Sequence, residues 1–181
     1  MQRRSNAAVF WPVILIVAVL DAVTKAIAVG SLVPQRVPHP VWGSALRFTL
    51  VYNPGAAFGL HLGPQSRWIF TALTIVALVI LARLYRSTMR GDMPRVLALA
   101  LVCGGAIGNL IDRLRSDLGV VDFIDVGFGD ARWPTFNVAD MAVSCGAVLL
   151  AYVLWQEDQA AAPVAAAPLA GAAAGDQGDL V

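Results

Sequence analysis

Six aspartates fall between Gly104 and Met141, a stretch that closes one apolar run and opens another: Asp112, Asp117, Asp122, Asp125, Asp130 and Asp140. Asp122 and Asp140 stand where the chain turns toward or into apolar sequence, and a carboxylate there is costly unless it has a task. Two carboxylates separated by a water can divide labour. One is ionised and pulls a proton from the water, while the other is protonated and donates to a carbonyl oxygen or leaving amine. Mutual repulsion splits their proton affinities, so such a pair holds one shared proton near neutrality. Asp125 and Asp112 are rivals for a seat in the pair, because periodicity excludes neither. Asp117 and Asp130 lie in polar or Gly-containing loop sequence, where solvated carboxylates are the default.

Other groups gather around these acids. Asn137 is a fair N-cap for the last apolar run, with Asp140 three residues on at a first-turn position near the free amides. That positive end favours the ionised form of Asp140 and leaves Asp122 as the protonated partner at rest. Asn109, Asp112 and Arg113 share one helix face at i, i+3 and i+4, with helix termination and packing as the plainer reading. Gly104 and Gly108 form a GxxxG-type close-packing pair, and Gly108 and Ala139 are small enough to leave room for a bound chain. Asp21 and Lys25 are four apart and pair on one face near a membrane boundary, either as a working charge or as an anchor. Asn53 opens Asn53-Pro54-Gly55-Ala56-Ala57-Phe58-Gly59 and reads first as a turn former. Cys103 and Cys145 lie inside apolar runs, where two small buried hydrophobes are the simpler reading than a disulfide.

The elements that must hold these residues are membrane helices. Of 181 residues 58% are hydrophobic and 14% are charged, against about 25% charged in a soluble domain. The mean hydropathy is +0.69. A net charge of +1 gives no support for nucleic-acid binding. Four apolar runs predict helices over about 8–30, 68–85, 96–111 and 138–156, each near the roughly 20 residues that cross the hydrocarbon. The first is read as a retained span, since no Ala-x-Ala site followed by soluble sequence appears. Connections 31–65 and 112–137 are the polar loops; Ala45 to Tyr52 reads as a strand or hairpin on the membrane surface. An extended piece at Val120 to Ile124 puts Asp122 and Ile124 on one face and Val121 and Phe123 on the other. Residues 160–181 form an Ala/Gly/Pro-rich tail expected to be disordered. Arg3 and Arg4, with Arg83, Arg86, Arg90 and Arg95, are packed into short segments close to helix ends, which predicts cytoplasmic termini and outward-facing polar loops.

Taken together, five motifs make the chain resemble the bacterial lipoprotein signal peptidases, the signal peptidase II family of intramembrane aspartyl proteases. They are Asp21-Ala22-Val23-Thr24-Lys25, Asn53 to Gly59, Gly108-Asn109-Leu110-Ile111-Asp112-Arg113, Val121-Asp122-Phe123-Ile124 and Phe136-Asn137-Val138-Ala139-Asp140. They stand in the family's order across roughly residues 8 to 156. The resemblance implies an all-α polytopic membrane protein of four helices, occupying 1–159, with a small extracytoplasmic β-rich cradle and a surface-lying loop beside the site. It implies a catalytic pair at Asp122 and Asp140, with Asp21, Asn53, Asn109, Asp112, Arg113 and Asn137 binding substrate or supporting the site. The implied substrates are prolipoproteins with a diacylglyceryl-modified lipobox cysteine, cut just before that cysteine at the outer face of the inner membrane. Membrane phospholipid and globomycin-like cyclic peptide inhibitors are further implied partners, with no metal and no cofactor. A small ion-coupled transporter would instead place charges near the membrane midplane and often repeat half its sequence, and here the charges sit at helix ends without a repeat. A non-enzymatic scaffold would leave the paired acids unexplained.

Overall fold

The structure is a computed structural model, described here for residues 5–55 and 63–161. Arg3, Arg4, the motif residues Ala56, Ala57, Phe58 and Gly59, and the tail from 162 lie outside the described residues.

Four helices take up the apolar runs: α1 (Ala7–Ser31), α2 (Ser66–Ser87), α3 (Met93–Arg115) and α4 (Val138–Ala161). Their lengths of 25, 22, 23 and 24 residues give about 33–38 Å at 1.5 Å per residue, enough to cross the ~30 Å of hydrocarbon. All four are apolar enough to span a membrane, and exposed side chains such as Ile16, Val76 and Val148 are those a lipid-facing surface carries.

α3 is the axis of the bundle. Half of its span is buried, against 22% in α1 and 11% in α2 and α4, and it has the lowest mean hydropathy of the four. The helix least suited to lipid is thus the one the others cover, and its polar residues face protein. Away from the polar loops, Phe10 of α1 stacks on Tyr85 of α2 with ring centroids 3.7 Å apart, over Val96, Leu99, Ala100 and Cys103. Cys103 and Cys145 are both free thiols.

α3 and α4 come together through missing side chains. A Cβ on Gly105 would stand 2.3 Å from the Ala139 carbonyl oxygen, and one on Gly108 would stand 2.5 Å from Asp21 Oδ2. This corrects the expectation that Gly108 and Ala139 leave room for a bound chain. The space at Gly108 is already taken by the Asp21 carboxylate, and Ala139 is fully buried against it.

α3 also reaches a turn beyond its apolar stretch at both ends. Asp92 accepts from the Arg95 amide at 3.3 Å and Pro94 occupies the first turn, so the helix starts before Val96. At the other end Asp112 and Arg113 lie inside the helix rather than ending it, with Ser116 N–H donating to the Asp112 carbonyl.

The two polar connections between helices build one antiparallel sheet in the order β1 (His39–Trp42), β2 (Leu46–Asn53), β3 (Val120–Phe128) and β4 (Ala131–Arg132). Val51 of β2 lies opposite Asp122 of β3, and Asn53 opposite Val120, with a register shift between Phe48 and Val51. Leu50, Val121 and Phe123 pack on Ala28 and Leu32 at the C-terminal end of α1. That contact seats the sheet on the bundle and brings β3 over the start of α4.

Candidate active site

Asp122 sits on β3, 3% exposed. Strand alternation sends Val121 and Phe123 into the apolar cluster over α1 and turns Asp122 to the other side, toward α4. Asn137 Nδ2 donates to its Oδ1 at 2.7 Å and Asn53 Nδ2 to its Oδ2 at 3.2 Å. Asn53 is held twice. Its own Oδ1 accepts from Gly55 N–H at 3.1 Å, which is the turn its sequence suggested. Its carbonyl lies where a Cβ on Gly119 would come within 2.1 Å, and Gly119 has φ +96°, so only glycine fits.

Asp140 opens α4. Asn137 and Asp140 cap the helix reciprocally: Asp140 N–H donates to Asn137 Oδ1 at 2.9 Å, and Asn137 N–H donates to Asp140 Oδ2 at 3.2 Å. Asn109 of α3 supplies Nδ2 to Asp140 Oδ1 at 2.7 Å. Asn137, fully buried, therefore touches both carboxylates and also donates to Asn109 Oδ1 at 3.1 Å. The cap and the site are one arrangement. Burial, and after it the negative charge of Asp140, pushes the Asp122 carboxyl up to about 7, against the opposing hydrogen bonds from Asn53 and Asn137 and the more remote Lys25.

Behind the pair lies a buried ionic cluster. Lys25 Nζ is 2.7 Å from Asp21 Oδ2, 2.8 Å from Asp112 Oδ2 and 2.9 Å from Asn109 Oδ1. Asp21 Oδ1 accepts from Ala139 N–H at 2.9 Å, and Asp112 Oδ2 from Val121 N–H at 3.2 Å. These bonds tie α1 to α4 and α3 to β3, directly beside the two acids. The i, i+4 spacing of Asp21 and Lys25 pointed to their pairing. What spacing within one helix does not carry is that α3 brings Asn109 and Asp112 to the same ammonium, which makes Lys25 a member of the cluster rather than a boundary anchor.

Arg113, on the α3 face that meets α2, has its guanidinium 6.0 Å from the Phe70 ring centroid. The carboxylates of Asp140, Asp122 and Asp112 all act on its charge, and its buried Nε has no hydrogen-bond partner among the described residues. It is an unspent donor beside the acids.

The rival acids are engaged elsewhere. Asp125 accepts from Arg47 Nε at 3.0 Å, Thr49 Oγ1 at 3.1 Å and Arg132 Nε at 2.8 Å, and so pins β2, β3 and the β4 segment. Asp117 pairs with Arg67 in an exposed position, and Asp130 is exposed. Nothing in the sequence marked Arg47, Thr49 and Arg132 as the partners of Asp125, because they converge only through strand register. Among the described residues no group of three His, Cys, Asp or Glu is arranged to hold a metal ion.

Two carboxyls, one of them raised to about 7, fixed by amide donors and flanked by a forked cation, suit water activation against an amide carbonyl. Comparison with known proteins agrees. The family described as signal peptidase (SPase) II matches residues 13–156. The chain is 41% identical over 144 residues to a lipoprotein signal peptidase of Syntrophomonas wolfei, covering 78% of this chain and 89% of that protein. To one of Paraburkholderia phytofirmans it is 44% identical over 140 residues, covering 76% and 79%. A solved structure described as a bacterial membrane enzyme superposes with a TM-score of 0.77 at 28% identity, covering 87% of this chain and 94% of that one.

Proposed function

The chain belongs to the signal peptidase II family of lipoprotein signal peptidases, and we propose that Asp122 and Asp140 are the catalytic dyad with which it cuts. It is a membrane-embedded aspartyl endopeptidase that removes signal peptides from prolipoproteins. The observation that carries the assignment of the dyad is Asn137, whose side chain donates to Asp122 while its backbone caps the Asp140 carboxylate.

In the resting enzyme Asp122 holds the proton and Asp140 the charge, which the first-turn amides of α4 and Asn109 stabilise. A water between them gives its proton to Asp140 as its oxygen attacks the scissile carbonyl carbon. Asp122 donates its proton to the carbonyl oxygen, and a tetrahedral diol forms. Proton return from Asp140 to the leaving nitrogen, with Asp122 retrieving the proton from the diol, breaks the C–N bond and restores the starting state. Arg113, whose Nε has no partner among the described residues, is the donor left for backbone groups of the unwound substrate chain, which have no water to turn to inside the bilayer, while the amides of Asn53, Asn109 and Asn137 hold the two acids in place.

The bond cut is the one before a diacylglyceryl-modified cysteine. A lipid-modified cysteine cannot leave the bilayer cheaply, at about 0.8 kcal/mol per buried CH₂, so the cut has to be made at the membrane boundary. Both termini are cytoplasmic and the site lies near the outer face of the inner membrane, supported by Arg83, Arg86, Arg90 and Arg95 around the α2–α3 turn. Membrane phospholipid surrounds the bundle, and globomycin-like cyclic peptides block the dyad. Residues 1–159 act as one peptidase domain. The test is cleavage of a purified prolipoprotein by the protein in bilayers, with and without the diacylglyceryl group on its cysteine. The lipid-modified precursor is cut and the unmodified one is not; equal cleavage of both would overturn the proposed bond specificity.

A further inference from the structure

A cavity of about 340 Å³ lies between α1 and α3. Its floor is the Asp21, Lys25 and Asp112 cluster, its α1 wall carries Ala18, Ala22, Ala26 and Val29, and Arg115 stands at its mouth. Neither Asp122, Asp140 nor Arg113 lines it. Asp112 and Arg115 are three apart and share one face of α3, whereas Arg113 lies about 100° away around the helix, so the cavity and the dyad are on different flanks.

We propose that this groove binds a bilayer phospholipid bearing both a phosphate and an ammonium, its phosphate on Arg115 and one acyl chain laid along α1. Ala22, Ala26, Val29 and Ile111 are exposed within membrane-spanning helices, so the groove opens sideways onto hydrocarbon. An unfilled apolar groove forfeits its contacts on one side, and an acyl chain is what the surroundings offer to fill it. The eleven steps from Ala18 to Val29 rise about 16 Å, roughly half of the ~30 Å hydrocarbon thickness, which is the depth of one leaflet.

The charges point to the headgroup. Arg115 is the last residue of α3, exposed, and without an ion pair or hydrogen bond among the described residues. A guanidinium at that level matches a phosphate. Lys25 is shared by Asp21 and Asp112 at 2.7 and 2.8 Å. Only Oδ2 of Asp112 is engaged, by Lys25 and Val121 N–H, which leaves its Oδ1 for an ammonium. A guanidinium for a phosphate and a free carboxylate oxygen for an ammonium, side by side on one face of α3, favour a zwitterionic lipid over an anionic one.

Native mass spectrometry of the purified full chain, exposed to dioleoyl phosphatidylethanolamine, phosphatidylglycerol and diacylglycerol in equal amounts, tests this. The wild type is expected to retain one phosphatidylethanolamine, about tenfold over either other lipid, the size of one charge-assisted contact. Arg115→Gln removes that preference over diacylglycerol, and Ala26→Phe, which fills the groove from its lipid-exposed wall, abolishes retention while both variants keep the wild-type melting temperature. Equal retention of all three lipids, unchanged retention in both variants, or displacement of the lipid by a lipid-modified precursor would overturn the assignment, the last by making the groove part of the substrate's path.

Discussion

The proton on Asp122 is set first by burial and second by the charge of Asp140, which together bring its carboxyl from the ordinary 3.8 up to about 7. If the protonated form donates to the carbonyl as proposed, kcat/KM should fall about tenfold per pH unit above about 7, as a pH–rate profile in micelles will show. The same shift has a cost in stability. A carboxyl whose folded pKa is raised contributes fully below its ordinary pKa and loses that contribution as pH climbs toward 7. Asp122→Asn, which cannot charge, should therefore raise the melting temperature relative to wild type above pH 7 and bring less change in acid. Removing the repelling partner has its own signature: in Asp140→Asn, the Asp122 titration followed by carboxyl infrared absorption should move down, and an unmoved titration would mean the two acids do not act on each other. At this scale the sequence was informative about kind but not company. The acids and amides were readable as candidates, and Asn53 and Asn137 were readable as a turn former and a cap. That those local roles also aim each side chain at Asp122 depends on contacts between β2, β3 and α4.

Among the elements, α3 carries the most consequence, since α1, α2 and α4 all pack on it and it presents Asn109 to Asp140. A side chain at Gly105 would meet the Ala139 carbonyl at 2.3 Å and push α4 away. Gly105→Val should thus cost about 1–3 kcal/mol, as overpacking does, and lower kcat more than it raises KM, read from thermal unfolding and steady-state rates. In the sheet, Asp125 is pulled two ways: burial raises its carboxyl, and the bonds from Arg132, Arg47 and Thr49 outweigh it and hold it below the usual range. Its contribution is present above its ordinary pKa and is lost as pH falls through the lowered one. Asp125→Asn leaves two guanidiniums facing each other and should lower the melting temperature at neutral pH, with a smaller difference in acid. The helices were legible because apolar runs of this length have few other uses. Their ends were not, since Asp92 starts α3 early and Lys25 lets the helix continue through Asp112. The sheet was legible only in part, as a strand at 45–52 and an extended piece at 120–124, because pairing between β2 and β3 joins residues some seventy apart.

At the scale of the molecule, four spans and a sheet seated on α1 bring the proposed dyad to one end of the bundle, where α3, α4 and β3 meet. The fold class and the family could be read before any coordinates, because five motifs keep their order. Depth could not, since nothing along the chain says that Lys25 is 4% exposed while Arg115, at the same end, is open. If both termini are cytoplasmic, Ser44→Cys in the β1–β2 turn should react with an impermeant maleimide in intact spheroplasts and Ser87→Cys should not, in a Cys145→Ser background. The measurement that bears most directly on the dyad is a gel-shift assay on a diacylglyceryl-modified prolipoprotein, with wild type, Asp122→Asn and Asp140→Asn at equal abundance in the same membranes. Both substitutions are predicted to leave uncleaved precursor, with rates down at least about 10²–10⁴-fold. Signal peptide released at near the wild-type rate by either variant would contradict the account.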